Sequence, residues 1–441
     1  MSKLDAELPK GADHATGSSV ASRLEIMTRR RALGIVRQCL ISAGLLGCTT
    51  VVVNAQGSIR VVQPQEYKKE ARATPPDGAS WFLTAINDLA VDSAGRIYVL
   101  ERSDQTIRVF SPSGKHLMAL GRRGDGPGEF RNARALVVRS GSLWVLDYGN
   151  SRVTAFGLAG TTVRTFSLNP AVRGVASVAG VTARGFLVYV NNQGAAEATS
   201  QALVGQAPAL FVSTDSRGQV LDTVATSWER RQTLRFSVIP ADIKTTRSAG
   251  QVNRAQPFVQ QAHWVMSGDG VALVTLGPVS FRGLGSEELR LSYLSLTGDT
   301  LKSKRVDLPR FPLTDRDVNK LVDSLAMPFL IKGNIRVQGD RRMIRDSLVR
   351  TRYWPSASSM LMGEDGTLWL KSPRPSGEGG DTYWVLSKDG ETEARVTLPK
   401  GFRLVRASRA EAWGWSTDED GSPVVERYRL SKPIEAAASR K

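Results

Sequence analysis

Outside the first 55 residues of this 441-residue chain, the residues equipped for chemistry are few. The imidazoles there are His116, in SPSGKHL, and His263, in AHWVM, and both cysteines, Cys39 and Cys48, lie within the first 55. Zinc needs three or four nitrogen, sulfur or carboxylate ligands, which one imidazole cannot supply, and a cysteine nucleophile or disulfide is excluded beyond the leader. A calcium site needs several oxygen ligands. Asn87, Asp88 and Asn132 are the oxygen-bearing residues grouped by position, and they bring too few carboxylates. TDEDGSPVVE (417–426) has the look of a calcium loop but lacks its first ligand and correctly spaced closing Glu, so it reads as a solvated turn. Neither G-x-S-x-G nor H-E-x-x-H occurs. The expectation is no catalytic residue, no metal site and no cofactor.

The elements that would position these residues are strands. VDSAGRIYVLE (91–101), VRSGSLWVLDY (138–148), MSGDGVALVTL (266–276) and MGEDGTLWLKS (362–372) share an apolar residue, a tight polar turn and an alternating apolar run. That is a hairpin signature. VAGVTARGFLVYV (178–190) and VRASRAEAWGWS (405–416) are looser copies. A second hairpin follows each, as in IRVFSPSGKHLMAL (107–120) and YWVLSKDGETEARVTL (383–398). Four antiparallel strands per repeat make a propeller blade. The fold expected is all-β: a six-bladed β-propeller with four-stranded antiparallel blades. The sixth unit, ending in VERYRL (425–430), lacks its last strand. SIRVVQP (58–64) is expected to complete it and remove the open edge.

GRRGDGPGEF (121–130) packs four glycines and a proline between two of these units. No helix signature follows it, so a phosphate-binding loop is disfavoured. It reads as a corner, with Phe130 wedged between blades and the glycines permitting positive φ. Together with ALVVRSGSLWVLDYGNSRVTAFGLAG (135–160), it resembles the NHL-repeat six-bladed propellers of the secreted bacterial type. The family pattern corresponds to Asp147, Asn150, Arg152 and Phe156. Asp147 and Arg152 are expected to form a salt bridge across the DYGNSR turn. The resemblance is specific for blade two, fair for blade one and weak beyond. Related propellers include calcium lactonases and zinc lyases.

The first and third turns of each unit are short. The middle loops and blade crossings, which open on the other face, are long. Residues 227–258 and 310–355 form two insertions there, the second partly helical and placed between blades four and five. Thr314 and Asp317 outline a capping box before Val318, Leu321, Val322 and Leu325 at helical spacing. A second helix is expected over 340–350, its arginines facing solvent. Long loops on a rigid scaffold are where binding resides. The polar residues starting the inner strands should ring the channel mouth on that face: Asn87, Asp88, Asn132, Arg134, Arg173, His263, Ser358 and Arg403. Trp144, Trp369 and Trp384 read as core, while Trp413 and Trp415 read as core or as a stacking platform.

Residues 1–55 read as a leader. From Met27 the chain has a basic segment, an apolar stretch (Cys39–Val53) and small residues before Gln56, the parts of a signal peptide. The protein is therefore expected to be exported to the periplasm or beyond, with no stable membrane span after cleavage. The full chain carries +17; subtracting the leader's 7 basic and 4 acidic residues from 59 and 42 leaves +14 for 56–441. Such an excess favours anionic partners. The reading is a non-catalytic binder of a protein, an anionic polysaccharide or a small anion. The alternative is a channel-based hydrolase or lyase; export argues against nucleic acid.

Overall fold

The computed structural model describes residues 53–54, 57–58, 60–62, 67–73, 83–167, 176–190, 209–227, 233–241, 250–278, 288–331, 335–374, 380–430 and 432–435. Residues 1–52 of the leader, Arg173 and the long loop over 191–208 lie outside the described residues. The ring and its additions belong to the unit Val53–Lys441.

Apolar runs such as Ile97–Glu101, buried along their whole length, occur where a sheet is covered on both faces. Six antiparallel sheets meet that condition by packing against one another. Blade one comprises Ile86–Val91, Ile97–Glu101, Thr106–Phe110 and His116–Leu120. Blade two runs from Ala133–Arg139 to Thr162–Ser167, and blade three from Ala176–Val181 to Val220–Ser227. Blade four spans His263–Met266 to Thr300–Val306, blade five Ser359–Met362 to Thr392–Leu398, and blade six begins at Arg403–Ala407. The first strand of each blade neighbours the first strand of the next, and Arg403–Ala407 returns to Ile86–Val91, which closes a six-membered ring.

The cores lie between blades. Tyr98, Leu100, Ile107 and Val109 of blade one meet Leu136, Leu143, Val145 and Phe156 of blade two in one cluster. Val274, Leu276 and Leu291 of blade four likewise meet Leu368, Leu370 and Trp384 of blade five. Trp369 and Trp413 are fully buried, and Trp144 is half-buried and stacked on Phe166.

The ring closes through the N-terminal segment, but not through the strand expected. Tyr67–Ala73 pairs antiparallel with Pro423–Leu430 and supplies the outer strand of blade six. Arg60–Val62, within the stretch assigned to that role, instead runs parallel to Thr392–Leu398 as a fifth strand of blade five. YKKEARA is rich in charged residues, whereas the more apolar SIRVVQP looks like the better strand on hydrophobicity alone.

The two insertions, separated in sequence by all of blade four, build one small layer. Thr233–Pro240 pairs with Gly250–Ala255 on one side and with Ile335–Gly339 on the other, and Phe329–Ile331 completes a four-stranded sheet. Helices α1 (Asp315–Ala326) and α2 (Arg341–Ser347) cover one face. Val318, Val322 and Ile344 from the helices are buried with Leu234, Phe236, Val238 and Val337 from the strands. The capping box is present: Thr314 Oγ1 accepts from the Asp317 amide at 3.2 Å, and the Asp317 carboxylate accepts from the Thr314 amide at 3.0 Å. The helical arginines do not simply face solvent. Arg341, Arg345 and Arg350 reach Asp323, Asn319 and Asp315, an antiparallel ladder on one side of α1. The second insertion is thus helical and stranded, and the first contributes the partner strands.

Candidate binding face

Blade crossings and middle loops share one end of the propeller, and both insertions are crossings, three-to-four and four-to-five. The insertion layer therefore stands on the long-loop face. Its two crossings are tied to each other by two glutamines. Gln256 donates to the Ser347 carbonyl at 2.7 Å and accepts from the Val349 amide at 3.0 Å. Gln260 accepts from the amides of Ser356 and Ala357 and donates to the Ala357 carbonyl. Nothing in the local sequence marks either glutamine, because each bridges segments more than ninety residues apart.

The inner-strand residues expected at the channel mouth act as stitches between blades rather than converging on one point. Asn87 sits at a β-bulge, and its Nδ2 donates to the Ala133 carbonyl of blade two at 2.7 Å. Asp88 accepts from the amides of Leu89 (2.9 Å) and Leu136 (2.8 Å), so one carboxylate joins two neighbouring inner strands. Burial pushes its pKa up to about 6, against the two amides that favour the charge. Asn132 Oδ1 accepts from Arg134 Nε at 2.9 Å, and Arg134 is exposed. His263 Nε2 lies 3.2 Å from the Ala357 carbonyl, tying blade four to the strand entering blade five. Ser358 donates to the Lys371 carbonyl. Arg403 is exposed, its guanidinium 4.5 Å from the Trp415 ring centroid, so Trp415 serves as a cation–π platform already occupied by the protein's own arginine.

At the short-turn end, Arg139 of blade two reaches the Asp269 carbonyl in the first turn of blade four. Blade three lies between them in the ring, so this side chain spans part of the channel floor. Arg406 pairs with Glu364 at the same end. Among the described residues, no group of three or more His, Cys, Asp or Glu is placed to hold a metal ion.

The GRRGDGPGEF stretch is a corner, and its neighbours explain the motif. Phe130 is fully buried in the interface of blades one and two. Gly121 has φ 71°, and a Cβ there would fall 2.2 Å from the Phe130 ring. The loop is filled from within, because Glu129 accepts from the Gly126 amide at 2.8 Å. The expected Asp147–Arg152 salt bridge is not what these residues do. Buried Asp147 accepts from the amides of Arg131, Asn132 and Gly149 at 2.8–3.1 Å. Arg152 donates to the carbonyls of Asp125, Gly126 and Glu129 at 2.7–2.8 Å. The acid takes the donors of the crossing and the base takes its acceptors. Blade one repeats the first half of this device: buried Glu101 accepts from the amides of Thr84, Ala85 and Asp104. Burial pushes its pKa up, but those amides and the Thr84 hydroxyl outweigh it and hold the carboxyl below its ordinary value. Gln105 and Ser151, at equivalent turn positions, both adopt positive φ. Gln105 Oε1 accepts from the Ala133 amide at 2.7 Å, a blade-to-blade contact without a sequence signal.

Residues 80–230 match a family model, DUF5128, described as a 6-bladed beta-propeller. Among solved structures, the chain is similar to a member of the DUF4221 family from Bacteroides vulgatus (12% identity, TM-score 0.45, covering 84% of this chain and 98% of that one). It is similar to a calcium-binding protein, regucalcin, from Agrobacterium tumefaciens (12% identity, TM-score 0.38, covering 86% and 97%). Virginiamycin B lyase from Staphylococcus aureus is similar at 10% identity and TM-score 0.38, covering 82% and 99%. Comparison with curated proteins returns no match. The chain is an all-β, six-bladed β-propeller. Among the described residues, no helix is long and apolar enough to cross a membrane.

Proposed function

We propose that this chain is an exported, non-catalytic β-propeller that binds a protein or an anionic glycan through its long-loop face. The observation that carries the reading is the insertion layer. Two separate crossings leave the ring on the same face and fold together into a sheet capped by two helices. An added layer on one end of a rigid scaffold is the usual position for recognition. The polar inner-strand side chains support the same reading, since Asn87, Asp88 and His263 are engaged with backbone groups of adjoining segments and not gathered for chemistry. Export rests on the leader, with its basic segment, apolar stretch and Val53-Asn54-Ala55 before Gln56. The excess positive charge, +17 over the chain, favours an anionic partner.

A second reading, a channel-based hydrolase or lyase, is favoured by one observation: Asp88 is a channel carboxylate with a pKa of about 6, suited to exchange a proton near neutrality. Thermal melting of the purified protein against Ca²⁺, Zn²⁺, EDTA, heparin and alginate, at low and high salt, separates the two. A ligand that binds the native state alone raises the melting temperature by mass action. A salt-sensitive rise with a polyanion is expected. A rise with a divalent metal, reversed by EDTA and absent with polyanions, would favour the enzyme and refute the binding reading.

A further inference from the structure

We infer that the corner between blades one and two, on the long-loop face, is a binding site for the sulfate ester groups of an anionic polysaccharide. This rests on the binding reading above and names its ligand class and location.

Three arginines meet there around one turn. Arg102 opens the turn that joins the second and third strands of blade one. Arg123, in the crossing, reaches into the same turn, where its Nη2 donates to the Ser103 carbonyl at 2.7 Å. Arg134, in the inner strand of blade two, is brought close by Gln105. That side chain donates to the Arg102 carbonyl at 2.7 Å and accepts from the Ala133 amide at 2.7 Å. A single amide group therefore bridges the backbone at Arg102 and the backbone that leads into Arg134. All three arginines are exposed, as are the uncharged Pro127 and Tyr148 at the same corner.

The three lack a countercharge: none forms an ion pair with a described residue. Carboxylates are present at the corner, and each has another partner. Asp104 pairs with Arg108, Asp125 with Arg131 and Glu129 with Arg122. Asp88, Glu101 and Asp147 accept from backbone amides. The acids that hold the inner strands and crossing in place are thus committed to backbone donors, and the cations are left at the surface. Most of their five N–H donors are open. Arg123 engages one nitrogen, Arg134 gives Nε to Asn132 Oδ1 at 2.9 Å, and the Arg102 side chain makes no hydrogen bond among the described residues.

The number of guanidinia selects the ligand. Carboxylates and sulfate esters are two groups that make a glycan anionic. A carboxylate has two oxygens in one plane, and one arginine meets both in a fork geometry. A sulfate ester presents three terminal oxygens around a tetrahedral centre, so guanidinia can approach it from several directions. Arginines grouped about one turn, on long side chains that can swing together, suit the second. Like charges gathered without a countercharge also repel one another, and a bound anion relieves that.

The test uses the full chain with a sulfated dextran octasaccharide and a polymannuronate octasaccharide, binding being followed by calorimetry at low salt. The sulfated chain should bind more tightly than the uronate. The Arg102→Gln/Arg134→Gln double variant should bind the sulfated chain about tenfold more weakly or worse, with a melting temperature no lower than that of the unaltered protein. Arg342→Gln on α2 should bind as the unaltered protein does. If the double variant keeps full affinity, the site lies elsewhere; this inference fails and the binding reading stands. If the uronate binds as tightly as the sulfated chain, the selection of a tetrahedral group is overturned and the binding reading again stands. If neither glycan binds, the inference fails and the anionic-glycan arm of the reading fails with it, leaving a protein partner. If inorganic phosphate binds more tightly than the sulfated chain and is lost in the same double variant, the oxyanion site is real but the polysaccharide assignment is overturned.

Discussion

Replacing Asp88 by asparagine should change how stability depends on pH, in a direction the structure fixes. The Asp88 carboxyl is held between two inner strands, and burial lifts its pKa from 3.8 to about 6. The folded protein therefore binds this proton more tightly than the unfolded chain between those values. The stabilisation from the protonated form is complete below pH 3.8 and is lost as pH rises through 6. At 1.36 kcal/mol per pKa unit the interval is worth about 3 kcal/mol, and partial exposure to water reduces the expectation to about 2 kcal/mol. The Asp88→Asn side chain is neutral throughout. It retains one carbonyl for one of the two amides, which adds an offset independent of pH. Urea unfolding of both proteins, read by tryptophan fluorescence at pH 4, 5, 6 and 7, isolates the difference. The unaltered protein should lose about 2 kcal/mol relative to the variant from pH 4 to pH 7. A flat difference would refute the burial argument. A difference growing in favour of Asp88 as pH rises would mean that the Leu89 and Leu136 amides outweigh desolvation.

Other perturbations act on the crossings. Arg152→Ala strips three carbonyls of a charged donor and should cost about 2–4 kcal/mol by denaturant titration. Asp147→Ala should cost at least as much, and the double variant should lose less than the sum, because both side chains hold one loop. Glu101→Gln should be most destabilising near neutral pH and converge on the unaltered protein in acid, since a carboxyl held below its ordinary pKa contributes stability that is lost as pH falls through the folded value. Gly121→Ala forces a Cβ into the Phe130 ring at positive φ and should lower stability by about 2 kcal/mol or more, visible as a reduced melting temperature. Deleting residues 67–73 should abolish cooperative melting, whereas deleting 56–63 should cost far less, because the first opens the ring and the second only bares the edge of blade five.

Much of the architecture is legible in the sequence because its signals are local. A tight polar turn between alternating apolar runs reports a hairpin wherever it occurs, and each of the six blades carries at least one. The capping box at Thr314 is equally readable, since Asp317 is three residues away. What escapes is long-range. Gln256, Gln260 and Gln105 hold backbone groups distant in sequence, and no pattern around them says so. Asp147 and Arg152 stand out in the motif, and their proximity suggests that they pair with each other, whereas the unsatisfied amides and carbonyls of a glycine-rich corner are stronger claimants. The polar residues that open the inner strands read as a ring waiting for a ligand. Asn87, Asp88 and His263 instead bond to neighbouring strands and crossings, because the unpaired edges of inner strands attract polar side chains whether or not a ligand is bound.

The insertion layer also alters how the ring can come apart. Its sheet is woven from the chain just before blade four and the chain just after it, so blade four sits inside a closed loop of hydrogen bonds. Releasing that blade requires parting Thr233–Pro240 from Ile335–Gly339 as well as two blade interfaces. Amide exchange across blade four and the insertion sheet should accordingly report one shared opening event. The ring's own closure has no such doubling: it rests on Tyr67–Ala73 paired with Pro423–Leu430 inside blade six, and the ring should first breathe where those two strands part.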